Sequence, residues 1–193
     1  LENHEVKKLA KSFSIPVIIN SELIENTLRY EAGKLGIPVI TYESGEALRL
    51  SEKCIVTGVR GIVSAMRVLA MLPSKRIATV KAEPYVARSS SWFRAPLDGL
   101  FRPLCSLGAR VKRGDTLGVI SAPFSSEEKV LTANSDGIII CLSNLPLVNE
   151  GEALFHIARF EKASAVESEI AAHESNIEED RLFEIESVPS TEI

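Results

Sequence analysis

Ala95-Pro96-Leu97-Asp98-Gly99-Leu100-Phe101 is answered further along by Ala133-Asn134-Ser135-Asp136-Gly137-Ile138-Ile139. In the same way Val111-Lys112-Arg113-Gly114-Asp115-Thr116-Leu117 is answered by Val148-Asn149-Glu150-Gly151-Glu152-Ala153-Leu154. The offset is 38 residues at the Asp-Gly pair and 37 at the Val-x-x-Gly, so the second copy is one residue shorter. Each copy reads as short strands separated by turns, because Asp-Gly supplies positive φ cheaply and the flanking aliphatic residues fill a half-buried pleat. One such unit leaves an apolar face and strand edges uncovered. Two copies are therefore expected to pack face to face with quasi-twofold symmetry.

This repeat resembles the barrel-sandwich hybrid of biotinyl/lipoyl-like domains. The resemblance raises a carrier reading, with Lys129 of Ser126-Glu127-Glu128-Lys129-Val130 as the modified side chain. Asp136 follows Lys129 after only seven residues, shorter than the spacing of such carriers, and a lysine beside two glutamates also suits a solvated surface. The repeat then reads as an accessory domain, with the chemistry lying upstream.

The region before the repeat has a different grammar. Asn3 can cap a helix to about Lys11, and Ile15 to Asn20 is an apolar run of strand length. Ser21 is expected to open a helix to about Leu35, with Leu23, Ile24, Leu28 and Leu35 on one stripe and Gly36 as its stop. Ile37-Pro38-Val39-Ile40-Thr41-Tyr42 reads as a second buried strand, and Cys54 to Met71 as a buried helix ended by Pro73. Helices alternating with apolar strands point to an α/β fold, a partial parallel α/β/α sheet lacking most of its strands. Residues 1–76 are assigned to it, 77–159 to the β domain, which opens on a β pattern from Ala78 to Val86, and 160–193 to an acidic appendage. Within the appendage, Ala163 to His173 has helical composition and Leu182 to Val188 could form a short strand.

Charge and cysteine usage narrow the function. The segment from Phe160 to Ile193 holds ten acidic and two basic residues, leaving the first 159 residues at +4 within a net charge of −4. An acidic tail on a mildly basic body argues against nucleic acid and fits a small anionic partner. Three cysteines without metal-ligand spacing give neither a disulfide framework nor a zinc finger, and no basic n-region with an apolar core opens the chain. The run from Cys54 to Leu72 is broken by Arg60 and Arg67, which is costly in a bilayer. A cytoplasmic protein with no membrane partner is the expectation, and a chain that opens on Leu1 is expected to be a fragment or a processed product.

Tyr42-Glu43-Ser44-Gly45-Glu46 stands where the second strand would end, the edge at which α/β sheets bind substrate. Gly45 lets the backbone turn away and leaves the Glu43 carboxylate presented, although a glutamate there can equally be solvated. The stretch from Ile37 to Ala47, then Gly58-Val59-Arg60-Gly61-Ile62 through Met66-Arg67-Val68-Leu69, then the β repeat, together resemble the C-terminal half of the succinylglutamate desuccinylase/aspartoacylase family. The resemblance covers roughly residues 3 to 158. It implies a zinc-dependent amidohydrolase that deacylates an N-acyl amino acid, with a carboxypeptidase-like α/β domain of the zinc-exopeptidase kind. It further implies that Glu43 acts as general base on zinc-bound water and that a small β domain follows.

The zinc ligands of that family have no counterpart here. His4, His156 and His173 are the chain's three histidines, and no two have ligand spacing. The resemblance therefore implies zinc ligands on sequence preceding this chain, which alone would be inactive. For the substrate carboxylate an arginine is expected, since its planar fork binds carboxylates bidentately. Arg29 is the first candidate, with Arg49, Arg88 and Arg94 behind it, while Arg60 and Arg67 suit structural pairing. A non-catalytic binding module is the other alternative, and an exposed sheet edge makes a homo-oligomer possible.

Overall fold

A computed structural model describes residues 3–13, 15–73, 83–124, 127–161 and 163–186, the last stretch with side chains to Ile177. The fold is mixed α/β and divides into two compact units, one of residues 1–84 with 172–193 and one of residues 85–171.

In the second unit the repeat becomes eight strands: β3 (Ser89–Arg94), β4 (Gly99–Pro103), β5 (Arg110–Val111), β6 (Thr116–Ser121), β7 (Glu128–Thr132), β8 (Gly137–Leu142), β9 (Leu147–Val148) and β10 (Ala153–Arg159). They follow β2 (Tyr85–Ala87). They form two antiparallel sheets of four, ordered β3-β10-β8-β5 and β7-β6-β4-β9. Moving each strand to its counterpart in the other copy turns one order into the other. Each sheet thus draws two strands from each copy, and neither copy has a sheet of its own.

Both sheets are open, with β3 and β5 at the edges of one and β7 and β9 at the edges of the other, so the expected barrel-sandwich hybrid is corrected to two open sheets. A closed barrel needs hydrogen bonding carried round a full circuit. Here β5 and β9, two residues long each, end the ladders instead.

The core repeats the duplication side chain by side chain. Ala95 and Ala133, Phe101 and Ile139, Val111 and Val148, Leu117 and Leu154, and Ile120 and Ile157 are all buried in one cluster. The symmetry breaks at Phe155, whose counterpart is Gly118. A Cβ on Gly118 would lie 2.8 Å from the Arg102 carbonyl oxygen and 3.1 Å from the Phe101 ring, so no side chain fits there. Phe155 meets Phe101 edge-on at 5.5 Å between ring centroids.

The turn residues do more than the local pattern asks of them. Asp98-Gly99 and Asp136-Gly137 each carry the chain from one sheet to the other instead of closing a hairpin. A Cβ on Gly99 would fall 2.7 Å from the Ser121 carbonyl oxygen, and one on Gly137 2.5 Å from that of Ala158, the equivalent residue. Glycine is needed there for close approach of backbones. Positive φ is found at Gly99 (156°), as expected of Asp-Gly, and also at Gly114 (93°) and Gly151 (85°) of the Val-x-x-Gly turns.

The two aspartates reach across the duplication. Asp98 Oδ1 accepts the Glu150 amide at 2.6 Å, and Asp136 Oδ1 accepts the Arg113 amide at 2.7 Å, so each copy caps the turn of the other. Backbone bonds complete the pattern, Gly114 N–H to Ala133 and Gly151 N–H to Ala95, both 2.8 Å. Within each turn a carboxylate also accepts an amide: Asp115 takes that of Lys112 at 2.8 Å and Glu152 that of Asn149 at 3.1 Å.

In the first unit, α1 (His4–Ser12) starts where Asn3 Oδ1 accepts the amides of Glu5 and Val6. The expected partial parallel α/β/α sheet is not formed there: among the described residues of this unit the one strand is β1 (Val17–Ile19). Residues 37–44 adopt no strand, because an apolar run becomes one only beside a partner that takes up its backbone groups. The second helix, α2 (Leu28–Lys34), begins seven residues later than Ser21. Asn26 sits at φ 63° and Thr27 Oγ1 accepts the Tyr30 amide, so these two residues set the start. Gly36 does stop it, at φ 72°.

The third helix, α3 (Glu52–Val68), is not buried as expected, its buried residues being Gly58 and Gly61 alone. These glycines lie on one face of the helix and receive aromatic rings. A Cβ on Gly61 would fall 2.3 Å from Phe13, and one on Gly58 would fall 3.0 Å from Tyr42. The two rings pack together at 5.2 Å. Ile55, Val59 and Ile62 of α3 stay exposed.

The last helix, α4 (Ala163–Glu186), replaces the strand expected from Leu182 as far as Glu186, and residues 187–193 lie outside the description. Of the expected β segment from Ala78 to Val86, residues 78–82 lie outside it too. In the second unit α4 buries Val166, and Glu167 accepts the Arg110 amide.

Gly99→Ala and Gly137→Ala are each expected to cost about 1–3 kcal/mol, since the added methyl forces two backbones apart; chemical denaturation of the two variants measures this. The Asn149 side chain and amide hold the Glu152 carboxyl below the usual carboxylate range. Its contribution is complete above the ordinary carboxylate pKa and is lost as pH falls through the lowered folded value. Glu152→Gln should therefore destabilise the protein at pH 7, by a margin that closes on acidification in paired thermal melts.

Candidate functional site

The segment after α2 is organised by Tyr42. Its hydroxyl donates to the Cys54 carbonyl at 3.0 Å and lies 3.0 Å from Ser44 Oγ, while its ring rests on Gly58. That anchor ties residues 42–44 to the first two turns of α3 with no strand beneath them. Gly45 follows at φ 82°, and the position of its missing Cβ lies 3.7 Å from Cys54 Sγ. A side chain at 45 would strain the turn. Between the half-buried tyrosine and this turn stands Glu43, exposed and without hydrogen bond or ion pair to another described residue.

The unit carries an open depression of about 370 Å³, lined by Tyr42, Ser44, Arg49 and Ser51 at its polar side and by Leu50, Ile55, Val59 and Ile62 of the loop and α3; the residues flanking Glu43 in sequence line it, and Glu43 itself does not. A free carboxylate next to a concave surface can accept a proton from a bound nucleophile, provided the partner groups of the reaction stand opposite it.

The sequence candidates are not all brought together. Arg29 is absent from the lining of this depression; its guanidinium donates to Ser21 Oγ at 2.8 Å and to the Glu22 carbonyl at 2.5 Å, bracing the loop before α2. Arg49 does line it, its Nε 3.6 Å from an exposed Glu46 oxygen. In the other unit Arg88 pairs with Glu161, and Arg94 donates to the Gly151 carbonyl at 2.7 Å. Arg67 does not pair as expected through Nε, which is buried without a hydrogen-bond partner.

Sequence reading overlooked the bond from Tyr42 to α3. The signal was present in Gly58 and Gly61, three residues apart and hence on one helical face, where missing side chains invite a ring.

For a metal the donor set does not fit: among the described residues, no three His, Cys, Asp or Glu side chains converge. Lys129 lies within β7, exposed, beside a groove of about 390 Å³ lined also by Leu97, Ala122, Glu127 and Glu128. Among the described residues no helix is long and apolar enough to cross a membrane.

No family model matches the sequence, and no curated protein does. Solved structures match its fold. One is a succinylglutamate desuccinylase/aspartoacylase from Rhodobacter sphaeroides, at 21% identity and a TM-score of 0.70 over 80% of this chain and 48% of that one. Another is the ectoine utilization protein EutE (DoeB) from Ruegeria pomeroyi in its apo form, at 18% and 0.69 over 78% and 49%. A third is an aspartoacylase family protein from Mesorhizobium loti, at 22% and 0.63 over 81% and 47%. This chain spans about half the length of each. At such identities the likeness is one of architecture: the chain has the fold of the C-terminal part of the succinylglutamate desuccinylase/aspartoacylase structures.

Proposed function

We propose that this chain works as the C-terminal portion of a zinc-dependent cytoplasmic amidohydrolase that deacylates a small N-acyl amino acid. The reading is carried by one observation, the exposed Glu43 set between the anchored Tyr42 and the left-handed Gly45, two residues that line an open depression although Glu43 itself does not. The shared architecture of the desuccinylase structures supports it.

In this reading Glu43 is the general base. Its carboxylate takes a proton from the attacking water as the water adds to the amide carbonyl, and delivers it to the leaving nitrogen as the C–N bond breaks. The Tyr42 bond to α3 fixes where that carboxylate stands, since a base must sit within hydrogen-bond reach of its proton. Arg29 is the proposed grip for a substrate carboxylate, and would exchange its bonds to Ser21 and Glu22 for it. Arg49 is the second candidate, already facing the depression.

The described residues assemble no metal site, so in this reading the zinc ligands come from polypeptide outside this sequence and the chain alone is inactive. A self-association through an uncovered strand edge of the first unit is compatible with this.

In the polypeptide that carries both halves, Glu43→Gln is expected to lower kcat on N-acyl amino acids by roughly 10²–10⁴-fold with zinc content unchanged. Turnover near that of the parent refutes the role. The carrier alternative rests on the groove beside Lys129. It requires a covalent mass increase on that residue, whereas the hydrolase reading expects the unmodified mass by intact-protein mass spectrometry after expression.

A further inference from the structure

The outer face of the sheet β3-β10-β8-β5 carries a row of three side chains that the hydrolytic reading leaves unused. Strand register places Trp92 of β3 and Cys141 of β8 directly opposite His156 of β10, one on each side. Their neighbours along the strands, Phe93, Phe155, Ile157 and Leu142, belong to the core or pack against it, so the row faces outward. Directly opposed residues of a regular antiparallel ladder share a face, with Cβ atoms about 4.5–5.5 Å apart, and the β10–β8 register shifts only beyond this pair, between His156 and Ile157. The Trp92 and His156 rings are stacked, 4.1 Å between centroids and 12° from parallel. Trp92 is 45% exposed, His156 half-buried and Cys141 exposed. An imidazole is thus held flat by an indole next to a thiol that solvent can reach.

We propose that Cys141 is a modification site, a thiol that reacts with hydroperoxides after giving its proton to His156. The thiolate is the reactive form of cysteine, and a neighbouring imidazole is the usual side chain for taking up the S–H proton. The indole face attracts the imidazolium that results. The sulfur attacks the terminal peroxide oxygen, an S–O bond forms and the O–O bond breaks. The departing hydroxide or alkoxide recovers the proton from His156 and leaves as water or alcohol. Sulfur is oxidised to the sulfenic acid and the peroxide is reduced, with no further reactant.

The chain supplies its own reference thiols. Burial pushes the Cys105 thiol up in pKa, and its Sγ donates to the Leu117 carbonyl at 3.2 Å. Cys54 is half-buried in the first turn of α3, its Sγ 3.7 Å from the missing Cβ of Gly45.

The test treats the chain with hydrogen peroxide, traps sulfenic acid with dimedone, and follows each cysteine peptide by mass spectrometry across pH 5.5–9. Cys141 is expected to be trapped at least tenfold faster than Cys54 and Cys105. His156→Asn should lower the Cys141 rate on the order of tenfold or more while leaving the other two unchanged. An unchanged Cys141 rate in a variant with the parent's circular dichroism spectrum overturns the proposal, as does a Cys141 rate no greater than that of Cys54. Should His156→Asn fail to fold, the parent's own pH profile decides. A plateau reached near neutrality supports proton transfer to the imidazole, and a rate that climbs through about pH 8.5 as for free cysteine overturns it.

Discussion

The β unit depends on the two aspartates that reach across the duplication. Asp98 holds the amide of Glu150 in the second copy, Asp136 holds that of Arg113 in the first, and the glycine after each allows the backbones to touch. Each such bond, made at an exposed turn, contributes about 1 kcal/mol when both partners are present. Their placement matters more than their size. Each ties a sheet crossing in one copy to a turn in the other, so the two copies are joined at both ends of the duplication.

Much of this unit could be read from the residues. The duplication was visible as paired Asp-Gly and Val-x-x-Gly signals, and its buried pairs from Ala95/Ala133 to Ile120/Ile157 fall where the aliphatic residues recur. What could not be read was the exchange of strands between sheets. A local pattern says that Gly99 bends the chain, but the reason for a glycine is the Ser121 carbonyl 2.7 Å from where its Cβ would be, a contact made by a residue far along the chain. Closure failed to be legible for a related reason, since strand number and length at the edges decide it and β5 and β9 shrink to two residues.

The first unit was less legible, and its exposed surface explains why. Leu28, Leu35, Leu48, Leu50, Ile55, Val59 and Ile62 are all exposed, so apolar periodicity there forecast burial that the unit does not deliver. Periodicity reports what a segment would bury given a partner, and contiguous exposed apolar residues mark a face that wants one. The run from Ile37 to Tyr42 belongs to the same account. Local signals fared better: Asn3 caps α1, Gly36 ends α2, and Gly45 turns the chain after Glu43, each through its own backbone or side chain. The candidate site was legible to the extent that it is local. Glu43 and its turn stood out, whereas the tyrosine anchor and the separation of Arg29 from the depression depend on packing.

The unequal pair Gly118 and Phe155 makes the two halves of the β unit non-interchangeable. The Arg102 carbonyl and the Phe101 ring crowd position 118, whereas position 155 carries a ring that meets Phe101 edge-on. A chain carrying the second half twice would put a phenylalanine where a strand carbonyl lies 2.8 Å from the Cβ position, and a chain carrying the first half twice would leave the place of the Phe155 ring empty. Whatever its ancestor, the present molecule is a committed heterodimer of halves written on a single strand of polypeptide.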